Sequence, residues 1–248
     1  MSLDPERKQA ILEHLRELKT RVIYAFLAFI FACLVSYFFS DKIYSFLLKP
    51  LAEAGGGAER RIIYTGLAEA FLTYLKLAIF SGLILAFPVI IYQIYAFVAP
   101  GLYKYEKPYF IGFLLASPIL FLLGFLLVYY FLLPVAWQFF LSFENDNIAN
   151  LPVQLEARIS EYLSLVTNLI LAFGLAFQLP VIILILIKLD ILTPQMLVNS
   201  RKYTIVILLF VAAILTPPDV ISQLALFFPL YLLFEISIII GKRITLAK

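Results

Sequence analysis

The feature that most constrains this chain is a series of apolar runs too long and too numerous for the core of a soluble domain. Six stretches, at about 22–40, 70–99, 109–133, 162–187, 203–215 and 223–240, carry almost no charge. Crossing about 30 Å of hydrocarbon takes about 20 helical residues at 1.5 Å each. The first four runs meet that length. The fifth stops after 13 residues at Thr216-Pro217-Pro218-Asp219, and the sixth has 18. Lipid offers no hydrogen-bond partners to an open backbone, so segments of this kind must be helical. The expected fold is therefore an all-α, polytopic membrane protein with six transmembrane helices, the last two short, in one integral membrane domain spanning 1–248. Prolines 88, 118, 134, 180 and 229 should bend these helices or mark their ends, giving a curved wall with a concave face. Composition agrees: 63% of residues are hydrophobic and 14% charged, against about 25% charged in an ordinary soluble domain.

Charge placement predicts the orientation. With six crossings, the N-terminus, 100–108, 188–202 and the C-terminus lie on one side and hold thirteen Lys and Arg. The longer connections 41–69 and 134–161, with the turn 216–222, hold five, and Lys76 falls inside the second run. By the positive-inside rule both termini face the cytoplasm. A re-entrant hairpin of the last two runs would leave the C-terminus on the same side; the length of the sixth favours two short crossings. Residues 1–21 lack a cleavage site and do not read as a signal peptide. They read as an amphipathic surface helix, with Asp4 as N-cap, Pro5 at the first helical position and Ile11, Leu12, Leu15, Leu18 and Val22 on one face.

The polar residues of the spans carry the functional information, because hydrocarbon penalises unpaired charge. Glu235 is either a proton or partner site, or a carboxylate paired with Lys242 or Arg243. Lys76 either lines a cavity or extends to the headgroups. Gln178 precedes Leu179-Pro180, and its amide can satisfy a carbonyl freed by the proline or serve a functional polar site. No enzyme is expected. One histidine and one cysteine leave neither a metal set nor a Cys–His pair, no nucleophile elbow is present, and no phosphate-binding motif follows Gly55-Gly56-Gly57. No cofactor and no nucleic acid partner is implied. Cys33, alone, forms no internal disulfide. On the cytoplasmic side Glu17 and Glu106 stand out, although Glu17 can pair with Arg21 and Glu106 with Lys104 or Lys107.

A series of short motifs bears on those two carboxylates. His14-Leu15-Arg16-Glu17-Leu18-Lys19-Thr20-Arg21 resembles the N-terminal motif of the TatC family, the multispanning core of the twin-arginine protein translocase. Pro88-Val89-Ile90-Ile91-Tyr92-Gln93 with Phe97-Val98-Ala99-Pro100-Gly101-Leu102-Tyr103-Lys104-Tyr105-Glu106 is similar to that family's second span and first cytoplasmic loop. Ala172 to Pro180 resembles its fourth span, Leu215 to Gln223 the turn between spans five and six, and Phe234-Glu235-Ile236 the end of the sixth. The matches run in order from residue 14 to about 243.

The resemblance implies a receptor in the bacterial cytoplasmic membrane for folded proteins whose signal peptides carry paired arginines. It places Glu17 and Glu106 at the signal-contacting positions, with Phe97, Pro100, Leu102, Tyr103, Lys19 and Arg21 on the same surface. Two guanidinium groups suit two carboxylates through bidentate contacts. It further implies that Thr216 and Gln223 dock TatA- and TatB-like single-span partners, that the chain forms a homo-oligomer within the complex, and that the proton motive force drives transport. Lys19 stands where arginine is more usual, and Gln178 where many relatives have glutamate, so a proton-binding role at 178 is not available. A small-solute or ion transporter, suggested by the bent helices with Gln178, Lys76 and Glu235, is the alternative, as is a translocase-like scaffold without export activity.

Overall fold

The computed structural model describes residues 5–54, 61–101, 107–148, 151–153, 155–215 and 220–246. Helix α1 (Pro5–Phe38) is a single rod of 34 residues, about 51 Å long at 1.5 Å per residue. It starts at Pro5 and has no break at residue 21, so the amphipathic segment is the first part of the spanning helix and not a separate surface element. No glycine or proline interrupts it, and the Glu17–Arg21 pair, one turn apart at 3.3 Å, supports its continuity. Leu12, Leu15, Leu18 and Val22 remain exposed on it.

A second helix, α2 (Ser40–Ala54), lies where a loop was expected. Its signal was the spacing of Leu47, Leu48 and Leu51; Leu47 and Leu51 are buried. Pro50 sits inside α2 and, lacking an N–H, cannot bond the Phe46 carbonyl one turn back. The hydroxyl of Tyr129 donates to that carbonyl at 2.8 Å, and Tyr162 donates to the neighbouring Leu47 carbonyl at 2.7 Å. The two tyrosines thus hold α2 to the wall while satisfying backbone that lipid could not.

Helix α3 (Glu69–Val98) returns across the wall and ends in a 3-10 turn, Ala99–Gly101. Next, α4 (Lys107–Leu127) passes through a π-helical stretch, Val128–Leu132, into α5 (Leu133–Leu141), with Pro134 in its first turn. Then α6 (Ile159–Ala176) breaks at Phe177-Gln178 and resumes as α7 (Leu179–Lys188), with Pro180 in the first turn. A short helix, α8 (Pro194–Asn199), is capped by Thr193, whose hydroxyl accepts from the Met196 N–H at 3.3 Å. Finally α9 (Arg201–Leu215) and α10 (Val220–Leu246) complete the order. The sixth run predicted an end at 240; the helix continues because Lys242 and Arg243 end the apolar stretch, not the helical backbone.

Among the described residues five helical stretches are long and apolar enough to cross a membrane: Leu12–Phe38, Glu69–Val98, Tyr109–Leu141, Ile159–Lys188 and Gln223–Thr245. Helix α9, with 15 residues, is about 22 Å long and corresponds to the short fifth run. It is tied to α10 by Gln223 Nε2 donating to the Leu209 carbonyl at 3.1 Å and by Arg201 Nη2 to Glu235 Oε2 at 2.7 Å.

Small strands occupy the connections. β1 (Ile62–Ile63) pairs in parallel with β4 (Ala157–Arg158), and β2 (Asn145–Ile148) runs antiparallel to β3 (Leu151–Val153). One apolar core gathers α2, α3, the π stretch, α5, α6, α9 and α10 around Leu132, Leu133, Val166, Ile170, Phe173 and Leu226. A smaller one joins α7, α8 and α10 through Ile187, Leu197 and Ile238. Where α4 crosses α6, a side chain on Gly124 would meet the Phe173 carbonyl at 2.9 Å, and one on Gly174 the Phe121 ring at 2.5 Å. Small residues let these backbones touch, as membrane helix contacts require.

Candidate functional site

The amino-terminal half of α1 lies against the carboxyl-terminal half of α3, and the register of their contacts is antiparallel. Cys33 meets Gly82, whose absent side chain would lie 2.5 Å from Cys33 Sγ and 2.7 Å from its Cα. Eleven residues further along α3, about three turns, Gln93 presents its amide oxygen to Arg21 Nη1 at 3.4 Å. Arg21 Nη2 reaches Glu17 Oε1 at 3.3 Å. One turn beyond Gln93, the Phe97 ring stacks on His14 with centroids 4.3 Å apart and planes 16° from parallel. Two helices thus bring a carboxylate, a guanidinium, an amide and two stacked rings to the carboxyl-terminal end of α3.

The geometry suits recognition of cations. Glu17 and Arg21 side chains are each 31% exposed, so the carboxylate is open to an incoming group while partly shielded from water, where charge-assisted contacts gain strength. Pro100 is exposed on the adjacent 3-10 turn, and Lys19 is exposed on α1. Leu102, Tyr103 and Glu106, and Thr216 at the far turn, lie outside the described residues. Two members of the cluster, His14 and Gln93, lay inside the quoted motifs without being singled out. Their signal was the helical spacing that sets Gln93 and Phe97 one turn apart on the face that also carries Gly82.

A cavity of about 760 Å³ opens between α3, α4 and α6–α7. Its walls are apolar, including Phe87, Ile94, Val98, Phe113 and Leu175, and its polar residues are Ser117, Gln178 and Tyr95. Gln178 is buried. Its Nε2 donates to the Ser117 carbonyl at 3.0 Å and the Gly174 carbonyl at 3.3 Å, and its Oε1 accepts from the Ser117 hydroxyl. The backbone explains the second bond: the Gln178 N–H turns to Leu175 O at 2.9 Å, leaving the Gly174 carbonyl without its usual helical donor. At one end of the cavity wall, next to Leu189, the Lys188 ammonium sits 4.1 Å from the centre of the Tyr109 ring, a cation–π contact.

The remaining polar candidates separate from the cluster. Glu235 pairs with Arg201 and accepts from the Tyr231 hydroxyl at 2.9 Å, so its cation comes from α9 instead of Lys242 or Arg243. Lys76 is exposed on α3. Gln223 bridges α10 to α9. On the opposite end of the wall, the carboxylate of Glu69 gathers two connections: it accepts from the N–H groups of Thr65 at 2.8 Å and Gly66 at 3.0 Å, from Ser160 Oγ at 2.5 Å and from Arg158 Nη2 at 3.4 Å. Beside it run the paired strands β1 and β4. Sequence reading missed this residue because Ser160 and Arg158, its partners from the second connection, are 91 and 89 positions away.

Comparison with known proteins places the whole arrangement. Residues 13–229 match the family model described as Sec-independent protein translocase protein (TatC). The Sec-independent protein translocase protein TatC of Rickettsia prowazekii is 52% identical over 228 residues, covering 92% of this chain and 90% of the relative. That of Magnetococcus marinus is 45% identical over 244 residues, covering 98% and 88%. A crystal structure of the twin-arginine translocase receptor TatC superimposes with a TM-score of 0.76 at 37% identity, covering 94% of this chain and 99% of that one. A second, in the detergent DDM, gives 0.78 at 36% identity. The apolar spans, the short α9 and the motif series share one explanation: this chain is a multi-pass membrane protein that belongs to the TatC family of Sec-independent protein translocase proteins.

Proposed function

We propose that this chain is the receptor core of a twin-arginine translocase, and that the end of the wall formed by α1 and α3 binds the paired arginines of a signal peptide. The observation that carries this reading is the Glu17 carboxylate, joined through the Arg21 guanidinium to Gln93 on α3, the helix that also forms one wall of an apolar cavity. Charged arginines followed by an apolar segment fit those two surfaces in that order. Glu106 is the second carboxylate of this proposal, and Phe97, Pro100, Lys19, Leu102 and Tyr103 complete the set of signal-contacting residues. The apolar segment then lies along the cavity wall past Gln178, whose polar atoms are occupied within the protein and present little competition to it.

Both termini face the cytoplasm of a bacterium, the wall lies in the cytoplasmic membrane, and the cargo crosses folded. Single-span TatA- and TatB-like proteins pack near Thr216 and Gln223, several copies of the chain assemble, and transport uses the proton motive force without catalysis by this subunit. The test is photo-crosslinking of a twin-arginine peptide to the purified chain from probes flanking Glu17 and Glu106. Capture should fall sharply for a twin-lysine peptide, because ammonium cannot bind a carboxylate bidentately. Equal capture of both would reject the assignment. Rescue of export in a strain lacking its own copy separates a working receptor from an inactive scaffold.

A further inference from the structure

The guanidinium that rests on Glu17 is the chain's own, and its position carries information about an incoming one. Arg21 is bridged: Nη2 faces the Glu17 carboxylate at 3.3 Å and Nη1 faces the Gln93 amide oxygen at 3.4 Å. Both contacts are single and long, compared with about 2.7–2.9 Å for a well-formed charge-assisted bond. A side chain one helical turn from Glu17 cannot turn its planar fork squarely onto both acceptors. A peptide arginine arriving from outside the helix has no such restriction.

We infer that Gln93 is a ligand-binding residue, and that Glu17 Oε1 and Gln93 Oε1 together form a two-acceptor seat for one guanidinium, the seat on which Arg21 rests in this structure. The inference rests on the proposed signal-binding role of this surface and adds a residue and a specificity rule to it. A guanidinium carries donors fixed in one plane and can span a carboxylate and an amide at once; an ammonium is a compact point charge. Gln93 therefore contributes to discrimination between arginine and lysine, whereas Glu17 attracts either cation. Arg21 is a weak resident competitor: its two contacts are single and long, so its displacement reduces apparent affinity only by the fraction of chains it occupies.

The test is a set of binding titrations with fluorescent twin-arginine and twin-lysine peptides on the full chain in nanodiscs. The forms compared are wild type, Gln93→Leu, Arg21→Leu, the double variant, and Gln93→Glu. Arg21→Leu should bind the twin-arginine peptide about two- to fivefold more tightly. In that background Gln93→Leu should weaken twin-arginine binding about tenfold, as expected for a lost hydrogen bond to a charged group, and change twin-lysine binding less than about twofold. Gln93→Glu keeps the acceptor and should tighten twin-arginine binding, guarding against a result that reflects misfolding alone. If Gln93 acted only by holding Arg21, its substitution would have no effect once Arg21 is gone, and that result overturns the inference. Wild-type chain that fails to prefer twin arginine over twin lysine would instead overturn the underlying assignment.

Discussion

The contact between Gly82 and Cys33 sets how closely α1 can approach α3, and replacing the glycine should propagate to the cation site. A Cβ at position 82 would lie 2.5 Å from Cys33 Sγ, 2.7 Å from Cys33 Cα and 2.8 Å from Cys33 N. Ordinary carbon contacts begin near 3.5 Å, so α1 must retreat by roughly 1 Å. Two effects compete in Gly82→Ala. Alanine gains up to about 1 kcal/mol in helix propensity, whereas overpacking a close contact costs about 1–3 kcal/mol. The overpacking term prevails because two of the three atoms are backbone, which no rotamer change can move. Gly82→Val enlarges the clash and loses most of the propensity gain.

Cys33 lies twelve residues from Arg21, about 18 Å along a rigid rod. A retreat of about 1 Å there stretches the Arg21–Gln93 contact beyond hydrogen-bond range, because it already stands at 3.4 Å. The assay pairs thermal unfolding in detergent with twin-arginine peptide titration. Gly82→Val should lower Tm by about 4–10 °C, at about 2–4 °C per kcal/mol for a chain of this size, and weaken binding. Cys33→Ala in the same chain should not rescue either property, since Cα and N remain. Full rescue by Cys33→Ala, or a Gly82→Val chain with wild-type Tm and binding, would refute the argument.

Other substitutions test the polar ties one at a time. Gln178→Leu strands the Gly174 carbonyl in a buried site and should cost about 1–3 kcal/mol, read as a lower Tm; Ser117→Ala, which leaves both amide donations intact, should cost less. Tyr129→Phe should cost about 1 kcal/mol in the native chain but almost nothing after Pro50→Ala, because the restored N–H then serves the Phe46 carbonyl; equal losses in both backgrounds would show that the hydroxyl does not compensate the proline. Glu69→Ala should release the two connections it joins and raise protease cleavage near 61–68, with Glu69→Gln milder because an amide oxygen still accepts two of its bonds. Unchanged cleavage would remove Glu69 as the tie between them.

Much of the fold was legible because the hydrocarbon solvent leaves few options. Apolar length located the spans, and the double proline after Leu215 predicted the short fifth. What stayed hidden were features whose signal is relational. Helix α2 contains a proline and two acidic residues, Asp41 and Glu53, so local pattern read it as a loop; it exists because tyrosines from α6 and the π stretch satisfy its carbonyls. The continuity of α1 was likewise obscured by its composition, since the change from charged to apolar at residue 22 is a change of side chains, not a bend in the backbone.

The proposed cation site divides along the same line. Glu17 was visible as a carboxylate just before the first apolar run, and the motif drew attention to it. Gln93 was not, because a neutral amide in an apolar helix has many uses and only the opposing helix decides among them. Here the decision is made by Gly82, three turns away on the same face of α3. Without a side chain at that position, α1 comes close enough for Arg21 to reach across, and the amide becomes an acceptor for a guanidinium. The chemistry of the site therefore depends on a residue that contributes no polar atom from its side chain to it. A binding surface built this way is sensitive to packing at a distance, and the Gly82 and Gln93 variants should weaken the same peptide contact by different routes: one by separating the helices, the other by removing the acceptor while leaving Tm nearly unchanged.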